Sequence, residues 1–198
     1  MPRAKQQSEE VRGRILETAR RIIEEMGVEA LSIRQITNEM GYSPGIVYHY
    51  FRDKDEILSC VLQDSYKRIL SAIRPLRGDL APDEAIRLSI TNYIESALQW
   101  PAEYKAIMLS ASPQILNFTS VLGADDHSPA LAALIETLEA GIEAGLFAPC
   151  DVKTTAGAIW SAMFGLLIRL IIERGISSEQ RAGLIARQIE IILKGLKP

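Results

Sequence analysis

A chain of 198 residues has the length of one ordinary domain, or of one small domain joined to one medium one. With 47% hydrophobic and 24% charged residues, 13 Gly and 9 Pro, its composition is globular and argues against collagen-like, low-complexity and disordered classes. Its 22 basic residues stand against 25 acidic ones, a net charge of −3, which excludes bulk coating of nucleic acid.

Two cysteines, Cys60 and Cys150, lie far apart with no C-x-x-C spacing, so neither a disulfide scaffold nor a thiolate zinc site is expected. The polar start from Met1 to Ser8 lacks the apolar core of a signal peptide, and the expected location is the cytoplasm.

In chain order, the periodicity predicts helix after helix. Val11, Ile15, Ala19, Ile22, Ile23 and Met26 recur at helical spacing before Gly27, which stands where a helix end takes its left-handed residue. Ser32 precedes a short segment carrying Ile33, Ile36 and Met40, closed by Gly41. Ser43-Pro44 opens another short helix in the order of an N-cap and first position. Asp53 is placed to cap a long helix over 54–77, with Ile57, Leu58, Val61, Leu62, Ile69 and Ile73 on its apolar side.

The run Arg74-Pro75-Leu76-Arg77-Gly78-Asp79 breaks the pattern. Pro82 starts a helix whose face carries Ile86, Ile90, Tyr93, Ile94, Ala97 and Leu98, stopped by Trp100-Pro101. A shorter helix covers 102–111, and 112–127 reads as broken helix and loop. Further helices are expected over 128–145, from an Asp151 cap to Glu173, and over 178–194. No alternating run is long enough for a strand, so the expected class is all-α.

Residues 31–54 carry the chemistry. Two short helices joined at Gly41-Tyr42-Ser43 form a helix-turn-helix pattern, and a short helix fits a major groove about 12 Å wide. The second helix, Pro44-Gly45-Ile46-Val47-Tyr48-His49-Tyr50-Phe51, is crowded with side chains that bond phosphate or stack on sugar. Gly45 lets its backbone approach the groove closely.

In Gly27-x-Glu29-Ala30-Leu31-Ser32-x-Arg34-x-Ile36, Gly41-x-Ser43-x-Gly45-x-x-Tyr48-His49-Tyr50-Phe51 and Lys54-x-x-Ile57-Leu58, the sequence resembles the TetR family of transcriptional regulators. The resemblance covers about residues 8–60. It implies a helix-turn-helix DNA-binding domain of three helices over 1–53 and a larger helical ligand-binding and dimerisation domain over 54–198. It also implies a non-enzymatic regulator with no cofactor or metal, usually a repressor bound as a homodimer to a palindromic double-stranded DNA operator and released by a small-molecule effector.

Carried over by position, Ser32 and Ile33 meet phosphate and Arg34 reaches a base. Ser43 sits at the turn, Pro44, Gly45, Ile46, Tyr48, His49 and Tyr50 lie on the recognition helix, and Lys54 meets phosphate. The family usually has Thr where Ile46 stands, so an apolar touch on a thymine methyl replaces a hydroxyl contact. Ala is common where Thr37 stands, and Thr37 either adds a polar contact or packs.

Residues 156–172 are apolar but for Ser161 and Arg169, close to a membrane span. Arg169 inside the span argues instead for a helix buried on two sides, against its own core and against a second copy. With Ala158, Ala162, Gly165 and Arg169 on that helix, and Leu184, Ile185, Gln188, Ile189 and Ile192 on the last, the expected interface is a four-helix bundle on a twofold axis.

The expected effector pocket draws on Tyr66, Tyr93, Trp100, Tyr104, Met108, Phe118, Trp160, Met163 and Phe164. That lining suits an apolar or aromatic molecule. An enzyme would need a catalytic constellation, and the supply is thin: two His and two Cys, no H-E-x-x-H, no Gly-rich phosphate loop and no G-x-S-x-G. His127 after Asp125-Asp126 reads as a capping loop rather than a metal site. The remaining alternative is a helical dimeric scaffold or small-molecule binding protein without DNA binding.

Charge is unevenly spread. Residues 1–22 hold six basic side chains (Arg3, Lys5, Arg12, Arg14, Arg20, Arg21) and three acidic, whereas residues 23–56 hold three basic (Arg34, Arg52, Lys54) and seven acidic. Docking through a few positioned cations, with weak nonspecific affinity, is the expectation.

Overall fold

A computed structural model describes residues 3–73, 80–119 and 129–198. Among them the chain is all-α, with helices α1 (Arg3–Met26), α2 (Ile33–Met40), α3 (Pro44–Tyr50), α4 (Lys54–Ser71), α5 (Pro82–Gln99), α6 (Pro101–Met108), α7 (Pro113–Thr119), α8 (Pro129–Glu143), α9 (Val152–Ile172) and α10 (Ser178–Leu196). A single 3₁₀ turn, Val28–Ala30, joins α1 to α2.

The starts and stops follow local chemistry. Ser32 accepts the Gln35 amide at 3.1 Å to begin α2, and Gly41, at φ 66°, ends it in the left-handed region that only glycine adopts without strain. Asp53 accepts the Glu56 amide at 2.8 Å at the head of α4. Asp151 takes the amides of Lys153 and Thr154 before α9, and Ser177 with Gln180 forms a capping box before α10.

Three elements refine the sequence expectation. Helix α1 begins at Arg3, ahead of the apolar stripe that starts at Val11. Helix α4 ends at Ser71, short of residue 77. Within the stretch expected as broken helix and loop, residues Pro113–Thr119 form α7. The expected capping loop at Asp125, Asp126 and His127 lies outside the described residues.

The chain forms two compact units, Met1–Lys67 with Ala102–Asn117, and Arg68–Pro101 with Phe118–Pro198. In the first, Ile15, Ala19, Ile22 and Ile23 of α1 are buried against Ile36 of α2, Val47 of α3, Phe51, and Ile57 and Val61 of α4. Burying that many large aliphatic side chains, at roughly 1.5–3 kcal/mol each, gives two very short helices a fixed seat.

In the second unit α5, α8, α9 and α10 pack on one another. Among the described residues α9 is the one helix long and apolar enough to span a membrane. Its buried side, Ala156, Gly157, Ile159, Trp160, Met163, Leu167 and Leu170, belongs to this helical core.

Candidate nucleic-acid interface

The motif is built around one buried root. On α3 only Val47 is fully buried, and Phe51 just beyond it is 1% exposed. Tyr50 is half-buried and packs against the same core. The other residues of the helix and its N-cap are exposed: Ser43, Pro44, Gly45, Ile46, Tyr48 and His49, Tyr48 by 57%. Ile46 and Tyr48 thus present aliphatic and aromatic surface outward on a seven-residue helix.

Ser43 occupies the N-cap of α3 without a side-chain capping bond, and Pro44 fills the first position, where a missing N–H costs nothing. A Cβ at Gly45 would find Ser43 Oγ at 3.9 Å and nothing closer, so the opening in front of this backbone is real.

On α2 Arg34 is exposed, while Ile33 is half-buried against the core. Thr37 is buried and its hydroxyl donates to the Arg34 carbonyl at 3.0 Å, so this residue packs and serves its own helix. Ser32 is half-buried, with its oxygen engaged as the cap. Lys54 is exposed at the first position of α4. Beside it, the Glu56 amide and the Arg52 guanidinium hold the Asp53 carboxyl below its usual range.

Four arginines of α1, Arg12, Arg14, Arg20 and Arg21, are engaged within the unit. Arg20 lies 3.0 Å from Glu17 and 3.9 Å from Asp64 of α4, and Arg21 is 2.7 Å from Glu39 of α2. Arg14 bonds to Tyr42, and Arg12 lies over Phe51. Together with Gln7, Ser8 and Val11 of α1, the residues Tyr42, Ser43, Gly45, Ile46, His49 and Tyr50 line one groove of about 700 Å³.

The aromatic residues expected to line a pocket divide between the units. Tyr66, Tyr104 and Met108 belong to the first, and burial pushes the Tyr66 hydroxyl up to about 12. Tyr93, Trp100, Phe118, Trp160, Met163 and Phe164 belong to the second. There Tyr93 and Trp160 are buried with ring centroids 5.2 Å apart, whereas Trp100 stacks under Arg68 beside an open groove of about 550 Å³.

Sequence reasoning missed Glu103, a carboxylate only 1% exposed whose Oε1 accepts from Ser65 Oγ at 3.4 Å. Its position one residue before the fully buried Tyr104, and four before buried Ile107, was the available signal.

On α9, Ala158, Ser161, Gly165, Arg169 and Ile172 are exposed at spacings of three and four, and Ala162 is half-buried. On α10, Leu184 and Ile191 are exposed, and Ile185 and Gln188 are half-buried. Ile189 and Ile192 are buried within the protomer.

Comparison with known proteins gives three findings. Residues 15–61 match the family model of bacterial regulatory proteins, tetR family. An HTH-type transcriptional regulator of Staphylococcus aureus is 27% identical over 99 residues, which are 50% of this chain and 52% of that protein. The chain thus spans about half the length of the curated relatives it matches. Among solved structures, a bacterial regulatory protein in the tetR family from Rhodococcus RHA1 superposes with a TM-score of 0.69 at 22% identity, over 94% of this chain and 97% of that one. RolR in complex with the ligand resorcinol does so with 0.62 at 19% identity, over 98% of each chain. These two likenesses establish a shared fold.

Proposed function

The chain belongs to the tetR family of bacterial regulatory proteins, and from that premise we propose that it is a cytoplasmic repressor that binds a palindromic operator as a homodimer and is released by a small apolar or aromatic effector. The observation that carries the DNA reading is α3: one buried residue roots it, and Ile46, Tyr48 and His49 stand exposed in a row. In this reading Arg34 and Ile46 touch base edges, and Ser32, Ser43, Tyr48, His49, Tyr50 and Lys54 meet phosphate and sugar, with Ile33, Pro44 and Gly45 shaping the fit.

The dimer uses α9 and α10. The exposed stripe Ala158, Ser161, Gly165, Arg169 and Ile172 repeats as a two-helix seam does, and the small residues allow close approach. Leu184, Ile185, Gln188 and exposed Ile191 extend it. Such a dimer sets two recognition helices about 34 Å apart, one turn of DNA.

The buried Tyr93 and Trp160 pair supports an apolar or aromatic effector, and RolR, of like fold, is seen with resorcinol. The effector shifts the population toward a state in which α4 is tilted and the two α3 helices fall out of register with the grooves.

The test is fluorescence anisotropy of the full chain on labelled duplexes tiled from the region upstream of its own gene. Arg34→Ala weakens binding by roughly 1–3 kcal/mol and relaxes base preference at one position, and Lys54→Ala weakens all sequences alike and lowers the salt slope by about one. Unchanged affinity in both variants sinks this reading.

A further inference from the structure

We propose that α1 holds the recognition helix at both ends, through Arg14 before it and Arg12 after it, and that these two arginines are positioning residues for DNA reading. The proposal rests on α3 being the helix that enters the groove. A helix of seven residues has under two turns, and Val47 is its one fully buried side chain. Val47, with half-buried Tyr50 beside it, fixes where such a helix sits, and how its two ends are held sets its tilt, which decides whether exposed side chains reach base edges.

The residues flanking α3 supply what the root does not. Tyr42, two positions before Pro44, accepts a hydrogen bond from Arg14 Nη1 at 2.8 Å, with the guanidinium 5.2 Å from its ring centroid. Tyr42 is tied to α2 as well, its amide donating to the Thr37 carbonyl at 3.1 Å. At the other end Phe51 follows Tyr50, its amide donating to the Val47 carbonyl at 3.0 Å. Arg12 lies over its ring at 5.0 Å from the centroid and donates to Cys60 Sγ of α4 at 3.6 Å.

The two arginines thus grip the two ends of α3 from one rigid helix whose own face is locked in the core by Ile15, Ala19, Ile22 and Ile23. A hydrogen bond from a charged donor combined with a cation over an aromatic face is stronger than either alone. Both residues precede the segment that matches the family model, which begins at residue 15.

The test is a double-mutant cycle on the full chain, read by anisotropy on the same labelled upstream duplexes across a salt series. Arg14→Ala and Tyr42→Phe are each expected to weaken binding about five- to tenfold, as the loss of one charge-assisted bond at an exposed site would, and the double variant no more than the worse single. Arg14→Lys, which keeps a donor for Tyr42 Oη, recovers most of the loss. Arg12→Met, which keeps the apolar stem, weakens binding similarly. The salt slope stays at the wild-type value in all of them, and in the free protein the Val47 amide exchanges faster in the Arg14→Ala variant.

Additive losses in the cycle overturn the proposal, as does unchanged affinity. A slope smaller by about 0.9 per arginine also overturns it, by making each arginine a direct phosphate ligand. Failure of the wild-type chain to bind any upstream duplex sinks the reading of α3 itself, whereas wild-type binding with unaffected variants sinks only the role of α1.

Discussion

Gly141→Ala is expected to destabilise the second unit, although alanine is the better helix former. Gly141 lies in α8, and beyond its end Gly145, at φ 70°, turns the chain back so that the amides of Leu146 and Phe147 both reach the Gly141 carbonyl, at 2.9 and 3.1 Å. That turn lays the Phe147 ring, 3% exposed, on the glycine. A Cβ there would stand 2.0 Å from Cδ2, 2.2 Å from Cε2 and 2.9 Å from Cγ.

Carbon atoms pack at about 3.5–4.0 Å, so a buried ring has to retreat by more than 1 Å. Overpacking of this kind costs about 1–3 kcal/mol, and expelling the ring costs more. The propensity gain of Gly to Ala returns about 1 kcal/mol. A displacement of more than 1 Å puts the cost in the upper part of that range, so the net loss is about 1–2 kcal/mol, a fall in Tm of roughly 2–8 °C for a chain this size, with Phe147→Leu in the same chain restoring part of it. Calorimetry at fixed protein concentration measures it. A Tm equal to or above wild type would refute the packing argument.

Gly165→Ala discriminates between a free and a paired α9. Nothing lies within 4 Å of a Cβ there, so within one protomer the change stabilises the helix by about 0.5–1 kcal/mol; at a close-packed twofold seam it weakens association about tenfold or more, as sedimentation equilibrium would read. A dimer of undiminished affinity argues against α9 as the seam. Glu190 should titrate far below an ordinary glutamate: hydrogen bonds from Lys194 and then Arg187 push it down to about 2. Its folded value being the lower one, its contribution is present in full above the unfolded carboxylate range and is lost as pH falls toward 2; a carboxyl NMR titration with a midpoint near 4.5 would remove those pairs from solution.

The parts legible from sequence are those decided locally. Ser32, Gly41, Asp53 and Asp151 mark helix ends because a capping oxygen or a left-handed glycine acts within four residues of itself. The exposure of Tyr48 and His49 beside buried Val47 followed from helical spacing within one motif.

What depended on distant partners was not legible. Residues 3–10 carry no apolar face, so no periodicity announced that α1 starts at Arg3. Helix α10 offers Leu184, Ile185, Ile189, Ile191 and Ile192 around much of its girth, and only packing on α5 and α9 decides that Ile189 and Ile192 turn inward while Leu184 and Ile191 stay out. Glu103 reads as a solvent-facing acid until Ser65 is found beside it, 38 positions away in the chain. The basic residues of α1 read as a DNA-binding arm, whereas Arg12, Arg14, Arg20 and Arg21 are turned onto neighbours within their own unit.

With four arginines of α1 so engaged, the charge balance of −3 implies a weak grip on arbitrary DNA and discrimination resting on a few positioned side chains. The most direct measurement is the affinity of the full chain for an upstream duplex against a scrambled duplex of equal length and composition, at one physiological salt concentration. A regulator that reads sequence through α3 binds the first tighter by about 10³-fold or more. Equal affinity for the two duplexes would contradict the account.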